Sequence, residues 1–131
     1  MSKEDKQLVL IDLSSRLLYG VKGIITFDKS NTTFTVEGID NNVLHLSDAE
    51  ECYVEDFKPY LRPMSSMTEK ELKEYNKIVE DDAVHSGTKN SYKPMYKHIN
   101  WLNENHFDYR GLIDKGLALE APEGMYNIKT K

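Results

Sequence analysis

The strongest constraint on this chain is a helix start at Thr68-Glu69-Lys70-Glu71. The four residues form a capping box: the threonine oxygen accepts from the Glu71 backbone N–H, and the glutamate carboxylate reaches back to the Thr68 N–H. Met67 before the cap and Leu72 after it have the spacing of a hydrophobic staple. Leu72, Tyr75, Ile78 and Val79 are then expected along one helix face, with glutamates and lysines on the other. A start this definite divides the chain, because the hydrophobic period before it is of another kind.

The segment ahead of the box begins helical and turns extended. Leu10, Leu13 and Leu17 recur at helical spacing, Ile11 and Leu18 widen the stripe, and Gly20 is placed to end it. From Val21 the period becomes two: Val21, Gly23, Ile25 and Phe27 share one face of a strand. Lys29-Ser30-Asn31-Thr32 reads as a turn, and Phe34 and Val36 then alternate with Thr33, Thr35 and Glu37. Asp40-Asn41-Asn42 is a second turn, before a strand over 43–46. Pieces around Cys52-Tyr53-Val54 and 58–61 extend the meander, with Pro59 placing the last at an edge.

Behind the capped helix, 86–90 reads as a loop. A further helix is expected to start near Pro94 and to carry Met95, Ile99 and Leu102 inward. Asp108 is placed to cap a short helix closed by Gly116. The expected architecture is one α+β domain over the 131 residues: an N-terminal helix, a small antiparallel β-meander and C-terminal helices. The sheet region runs about 20–62, the helical region about 68–120 and a frayed tail about 121–131. An SH3-like barrel is one way for such a meander to curl.

Charge narrows the function classes. The net charge of −5 argues against a protein that coats duplex nucleic acid, which needs a basic face. The charge is uneven: residues 1–47 carry a net −1, residues 48–82 a net −6 and residues 83–131 a net +2. The single cysteine, Cys52, allows no intrachain disulfide, and no uninterrupted apolar run has the length of a secretory core or of a membrane span. A cytoplasmic location without membrane association is therefore expected, and with it an idle Asn31-Thr32-Thr33 sequon.

Motifs of established chemistry are missing. His98 and His106 are eight residues apart, about 12 Å along a helix, too far to share one zinc, and Leu102 holds the position a clamp would need. No metal site and no cofactor are expected. Asp28-Lys29-Ser30-Asn31-Thr32 opens like a calcium loop but has Thr33 and Ile39 where glycine and glutamate belong. The seven glycines are scattered, and neither a phosphate loop nor a nucleophile elbow occurs. Ser65-Ser66 are loop residues before the cap, and Cys52 reads as a partly buried thiol rather than a nucleophile served by His45 or His98.

Two segments carry alternatives. His106, Phe107, Asp108, Tyr109 and Arg110 form the densest polar and aromatic cluster. One reading is an acid–base and anion-binding site centred on His106 and Asp108. The other is structural, with Asp108 as a cap, Phe107 and Tyr109 anchoring a corner and Arg110 paired with a carboxylate. The second segment, 89–101, interleaves Lys89, Lys93 and Lys97 with Tyr92, Tyr96 and Trp101, the mixture single-stranded nucleic acid needs. Its alternative is a solvated helix face with amphipathic tyrosines.

Three stretches together resemble a set of small proteins of uncharacterised activity from Bacteroidales-type gut bacteria and their phages or prophages. They are Leu10-Ile11-Asp12-Leu13 on to Arg16 and Tyr19-Gly20-Val21-Lys22; 58–68, with its Lys58-Pro59-Tyr60-Leu61-Arg62-Pro63; and Trp101-Leu102-Asn103 through 106–113 to Gly116-Leu117-Ala118. Proteins of this look often carry Cys-Ala at Ser14-Ser15 and proline at Leu18. The resemblance implies mobile-element origin and brings no activity. The leading expectation is a nonenzymatic interaction module that binds a protein partner or itself. Tyr60 and Arg62 beside the prolines and the corner from Phe107 to Arg110 are its exposed candidates, since Tyr and Arg are enriched in binding hot spots.

Overall fold

The computed structural model describes residues 1–85 and 97–126. Helix α1 (Lys3–Arg16) starts where Ser2 accepts from the Asp5 N–H, and a further helical turn, Leu17–Tyr19, carries it to Gly20 in the left-handed conformation. Strands β1 (Lys22–Ile25), β2 (Phe34–Asp40), β3 (Val43–Leu46), β4 (Glu51–Tyr53) and β5 (Phe57–Leu61) follow. Helices α2 (Glu69–His85) and α3 (Lys97–Glu104) come next, then the two-residue strand β6 (Leu119–Glu120). This is the expected α+β arrangement.

The strands form one sheet in the order β4-β3-β2-β1-β5-β6, antiparallel except for the parallel β5–β6 pair. The sheet is open, with β4 and β6 at its ends, so it does not close into a barrel. Its strands alternate as the period of two requires: Ile25, Phe34, Val36, Leu44, Leu46, Phe57 and Leu61 point into one core with Val9 and Leu13 of α1. Phe27 is the exception. It lies past the end of β1 and is 70% exposed. Pro59 sits opposite Gly23 in an internal strand, but β6 pairs only with Tyr60 and Leu61, so the missing proline N–H interrupts no ladder on that side.

Gly23 is there because β1 and β5 come very close. A Cβ on it would lie 2.4 Å from the Phe57 ring and 2.5 Å from the Lys58 carbonyl oxygen. The glycine lets Phe57 pass under the strand into the core.

The helices depart from expectation in rotation, not in place. In α1 the buried stripe is Val9, Asp12, Leu13 and Arg16, while Ile11 is half exposed and Leu18 is 91% exposed. The capping box forms as read, with Thr68 N–H donating to Glu71 Oε1 at 3.0 Å and Glu71 N–H to Thr68 Oγ1 at 3.1 Å. The staple does not: Leu72 is exposed, and the inward face of α2 is Glu71, Tyr75, Ile78, Val79 and Asp82. Two carboxylates with partners turn the helix away from its own leucine.

A second apolar cluster, Trp101, Leu102 and Phe107 with Met64, Met67, Tyr75 and Ile78, lies between α2 and α3. The expected start of α3 near Pro94 and Met95 lies outside the described residues. Residues 108–116 form consecutive turns rather than a helix. Asp108 still caps, accepting from the N–H groups of Leu112 and Ile113, and Gly116 at φ +73° still closes. Of the segment expected to fray, residues 121–126 are described, and Tyr126 is buried.

Candidate functional site

The polar centre of the molecule begins on α1. Asp12 and Arg16 are one helical turn apart on the face that packs against the sheet, and both are fully buried. The pair is bidentate, Arg16 Nε to Asp12 Oδ2 at 2.9 Å and Nη2 to Oδ1 at 3.0 Å. Arg16 Nη2 also donates to the Phe107 carbonyl at 2.6 Å, tying α1 to the residue after His106. Arg110 enters from the other side, with Nη1 on Asp12 Oδ1 at 2.8 Å and Nη2 on Ser15 Oγ at 3.2 Å. Ser15 Oγ itself donates to the Ile11 carbonyl. One carboxylate thus holds two guanidiniums, the arrangement that burial of charge requires.

The corner after α3 is built by backbone geometry. His106 N–H donates to the Asn103 carbonyl and Phe107 N–H to the Leu102 carbonyl, so the helix closes in a Schellman motif. The left-handed position, usually glycine, is His106 at φ +61°. The chain then adds to the outer side of β5: Arg62 N–H donates to the His106 carbonyl and Asp108 N–H to the Arg62 carbonyl, each at 2.8 Å. Arg62 lies over the Phe107 ring, 4.1 Å from its centroid, and makes two bonds to Glu71, at 2.9 and 2.8 Å. Trp101 stacks on Phe107, contacts Tyr75 and donates to Glu74.

His106 is 4% exposed, and its ring stacks on Tyr126 with centroids 3.7 Å apart. Burial first, then the Arg16 charge with Arg62 and Lys22 behind it, pushes its pKa down to about 4, against a hydrogen bond to the Tyr19 backbone. The ring is neutral at pH 7. Its Nδ1 has no hydrogen-bond partner among the described residues, and neither has Arg16 Nη1. The Tyr126 hydroxyl accepts from Lys22 N–H at 2.9 Å and donates to the Tyr60 carbonyl at 2.6 Å, bridging the ends of β1 and β5. Burial pushes this phenol well up, so it keeps its proton. Beside it opens a cleft of about 380 Å³ lined by Arg62, Pro63, Thr68, Glu120, Pro122 and Tyr126, among others.

The structure therefore answers the expected site residue by residue. His106, Phe107 and Asp108 are buried, and Asp108 has both oxygens on backbone amides, so these three present no surface to a partner. Neither His106 nor Asp108 lines the cleft. Tyr60, Arg62, Tyr109 and Arg110 are half-buried, with Arg62 held by Glu71, and Arg110 by Asp12 over the Tyr109 ring. The structural alternative for this corner describes it well, down to the carboxylate that pairs with Arg110.

Lys89, Tyr92, Lys93 and Tyr96 lie outside the described residues. Lys97 is exposed, but Trp101 is buried between Phe107 and Tyr75 and offers no face for a base. Among the described residues no group of His, Cys, Asp and Glu is placed to hold a metal ion, and no helix is long and apolar enough to cross a membrane. Burial pushes the Cys52 thiol up to about 11, leaving no thiolate for nucleophilic attack at neutral pH.

Sequence reasoning missed three partners. Asp12 reads as a break in an apolar run, although Val9, Asp12 and Arg16 share helical spacing, the signal that would have found it. Glu71 was assigned to the cap but not to Arg62. Asp82 has no local signal of a partner, yet its Oδ2 accepts from the His98 N–H at 3.0 Å and lies 2.5 Å from His98 Nδ1, joining α2 to α3. No protein-family model matches the chain, and no curated protein or solved structure matches it either.

Proposed function

We propose that this protein is a nonenzymatic interaction module that docks onto another protein chain, or onto a second copy, through the outward face of α1 and the turn after it. The carrying observation is Leu18, 91% exposed, seven residues from the half-exposed Ile11. Gln7, Ile11, Ser14 and Leu18 recur at helical spacing, all exposed and without a charge among them. Ile11 and Leu18, two turns apart on one face, have the spacing of the anchors by which an amphipathic helix seats in a groove. Tyr19 extends the patch, and the Arg110 guanidinium, anchored on Ser15, borders it with positive charge. The mobile-element origin implied by the sequence resemblance belongs to the same proposal.

The interior supports a binding role over catalysis. Asp12, Asp108 and Glu71 have their oxygens occupied by guanidiniums and amides, and the hydroxyls beside the cleft serve the backbone: Ser66 donates to the Pro63 carbonyl and Thr68 caps α2.

The test is a pair of surface variants, Ile11→Asp and Leu18→Asp, with sedimentation equilibrium at increasing protein concentration and capture from a host lysate. Wild type is expected to self-associate or to retain a defined protein, and both variants to lose this with an unchanged circular dichroism spectrum. Burial of a leucine side chain contributes about 1.5–3 kcal/mol, so Leu18→Ala should weaken the association roughly tenfold or more. A wild-type monomer that retains nothing the aspartate variants lose would overturn the reading.

A further inference from the structure

Residues 121–126 run from the end of β6 across the open end of the β1–β5 pair. Among the described residues, few hydrogen bonds hold them to the rest of the molecule. Ala121 N–H donates to the Leu61 carbonyl, and Met125 N–H turns back to the Pro122 carbonyl within the segment. Pro122, Glu123 and Gly124 are exposed. Among the described residues the far end is held by Tyr126, whose hydroxyl stands between Lys22 N–H and the Tyr60 carbonyl and whose ring stacks on His106. The same segment supplies Ala121, Pro122, Glu123, Gly124 and Tyr126 to the wall of the cleft.

His106 is the partner on which this attachment depends. From α1 it faces Arg16, which is paired with Asp12; from the turn after α1, the Tyr19 backbone; from β1, Lys22; from the end of β5, Arg62, which is paired with Glu71; from the segment itself, Tyr126. The charges that act on its ring are the cations Arg16, Arg62 and Lys22, the first two each paired with a carboxylate. The Nδ1 atom is buried and has no acceptor near it among the described residues. A proton added there creates a buried N–H without a partner and a fourth positive charge. The attraction of an imidazolium for the Tyr126 ring opposes this only in part. The histidine backbone cannot yield, being held by Asn103 on one side and Arg62 on the other. Lifting Tyr126 is the available way to hydrate the ring.

We infer that residues 121–126 form an acid-released strap: protonation of His106 breaks its stack with Tyr126, frees the phenol from the β1–β5 junction and takes down the outer wall of the cleft. The inference is independent of the α1 docking surface. His106 titrates at about 4 in the closed state against 6.5 when hydrated, so the closed form is favoured fully above pH 6.5. It loses about a factor of ten per pH unit as the pH falls from there to about 4.

The test is amide hydrogen exchange by NMR on the full chain, with protection factors corrected for intrinsic rates. The Lys22 amide, whose acceptor is the Tyr126 hydroxyl, reports the strap; the Val36 amide, bonded to the Val21 carbonyl, reports the sheet. Between pH 7.5 and 4.5 the Lys22 protection factor should fall roughly 70-fold, while that of Val36 holds. In His106→Asn, which tolerates the left-handed corner but does not titrate, the fall should vanish. In Tyr126→Phe the Lys22 amide should be unprotected at every pH, and the His106 ring, followed by its Cε1 shift, should titrate closer to 6.5. A pH-independent Lys22 amide in wild type overturns the inference, as does a loss of Lys22 and Val36 protection together, which is global acid unfolding.

Discussion

Asp12 shows how much one residue decides. Among the described residues its carboxylate is the one counter-charge given to both Arg16 and Arg110, and it is wholly buried. Removing one member of such a group leaves the others charged in a low-dielectric interior, which costs about 3–5 kcal/mol. Asp12→Ala is therefore expected to lower the urea unfolding free energy by about that amount. The Asp12→Ala/Arg16→Ala double variant should lose clearly less than the sum of the singles, and additive losses would refute the coupling. Gly23 decides by absence. Gly23→Ala puts a methyl group 2.4 Å from Phe57 and 2.5 Å from the Lys58 carbonyl, and backbone is the less able of the two to move. A loss of about 1–3 kcal/mol is expected in the same measurement.

At the scale of the element, α2 is set in place by two acids. Glu71 closes the capping box and grips Arg62, whose guanidinium covers Phe107. Asp82, three turns on, grips His98 of α3. Burial works to raise the Glu71 carboxyl, but bonds from Arg62 and the Thr68 backbone, with the Arg62 charge, hold it below the usual 4.5. A lowered carboxylate stabilises the fold above its unfolded value, so this contribution is present above pH 4.5 and is lost as the pH falls below it. Thermal melts should show that acid loss in wild type and a smaller one in Glu71→Gln, whose amide oxygen can still accept from Thr68. Leu72→Ser, by contrast, should cost no more than about 1 kcal/mol, well below the loss of a fully buried leucine, because Leu72 is half exposed. A larger loss would mean that the staple forms after all.

For the whole molecule, the question is whether two apolar clusters unfold as one. The sheet core with α1 and the α2–α3 cluster around Trp101 are separate in packing. They are joined by Arg16 on the Phe107 carbonyl and by the Arg62–Phe107 pairing along β5. Arg16 is fully buried, so opening one cluster alone strands its guanidinium. Urea unfolding followed by the fluorescence of Trp101, the single tryptophan, should superimpose on far-UV circular dichroism. A fluorescence transition at lower urea would show the helical cluster to be a unit of its own.

Local signals in this chain are those that depend on neighbours in sequence, and they are legible. The capping box needs only Thr68 and Glu71, the hairpin turn only Asn41-Asn42, and the closing turn only Gly116. Alternation of apolar residues marked the strands because a pleated chain exposes opposite faces at successive positions. The sequence alone thus determined the α+β class and the order of α1, the strands β1 to β5 and α2, but not β6 or the run of turns that stands in place of a helix over 108–116. Which way each helix turns, and which polar residues lie inside, was decided in the tertiary structure. Ile11 and Leu18 look like core and Asp12 and Arg16 look like surface until Phe107 and Arg110, some ninety residues away, supply the partners. The Asp12–Arg16 pair is local to α1, but a buried ion pair also needs its remaining polar atoms satisfied, and only the folded chain brings the Phe107 carbonyl and the Arg110 guanidinium to it.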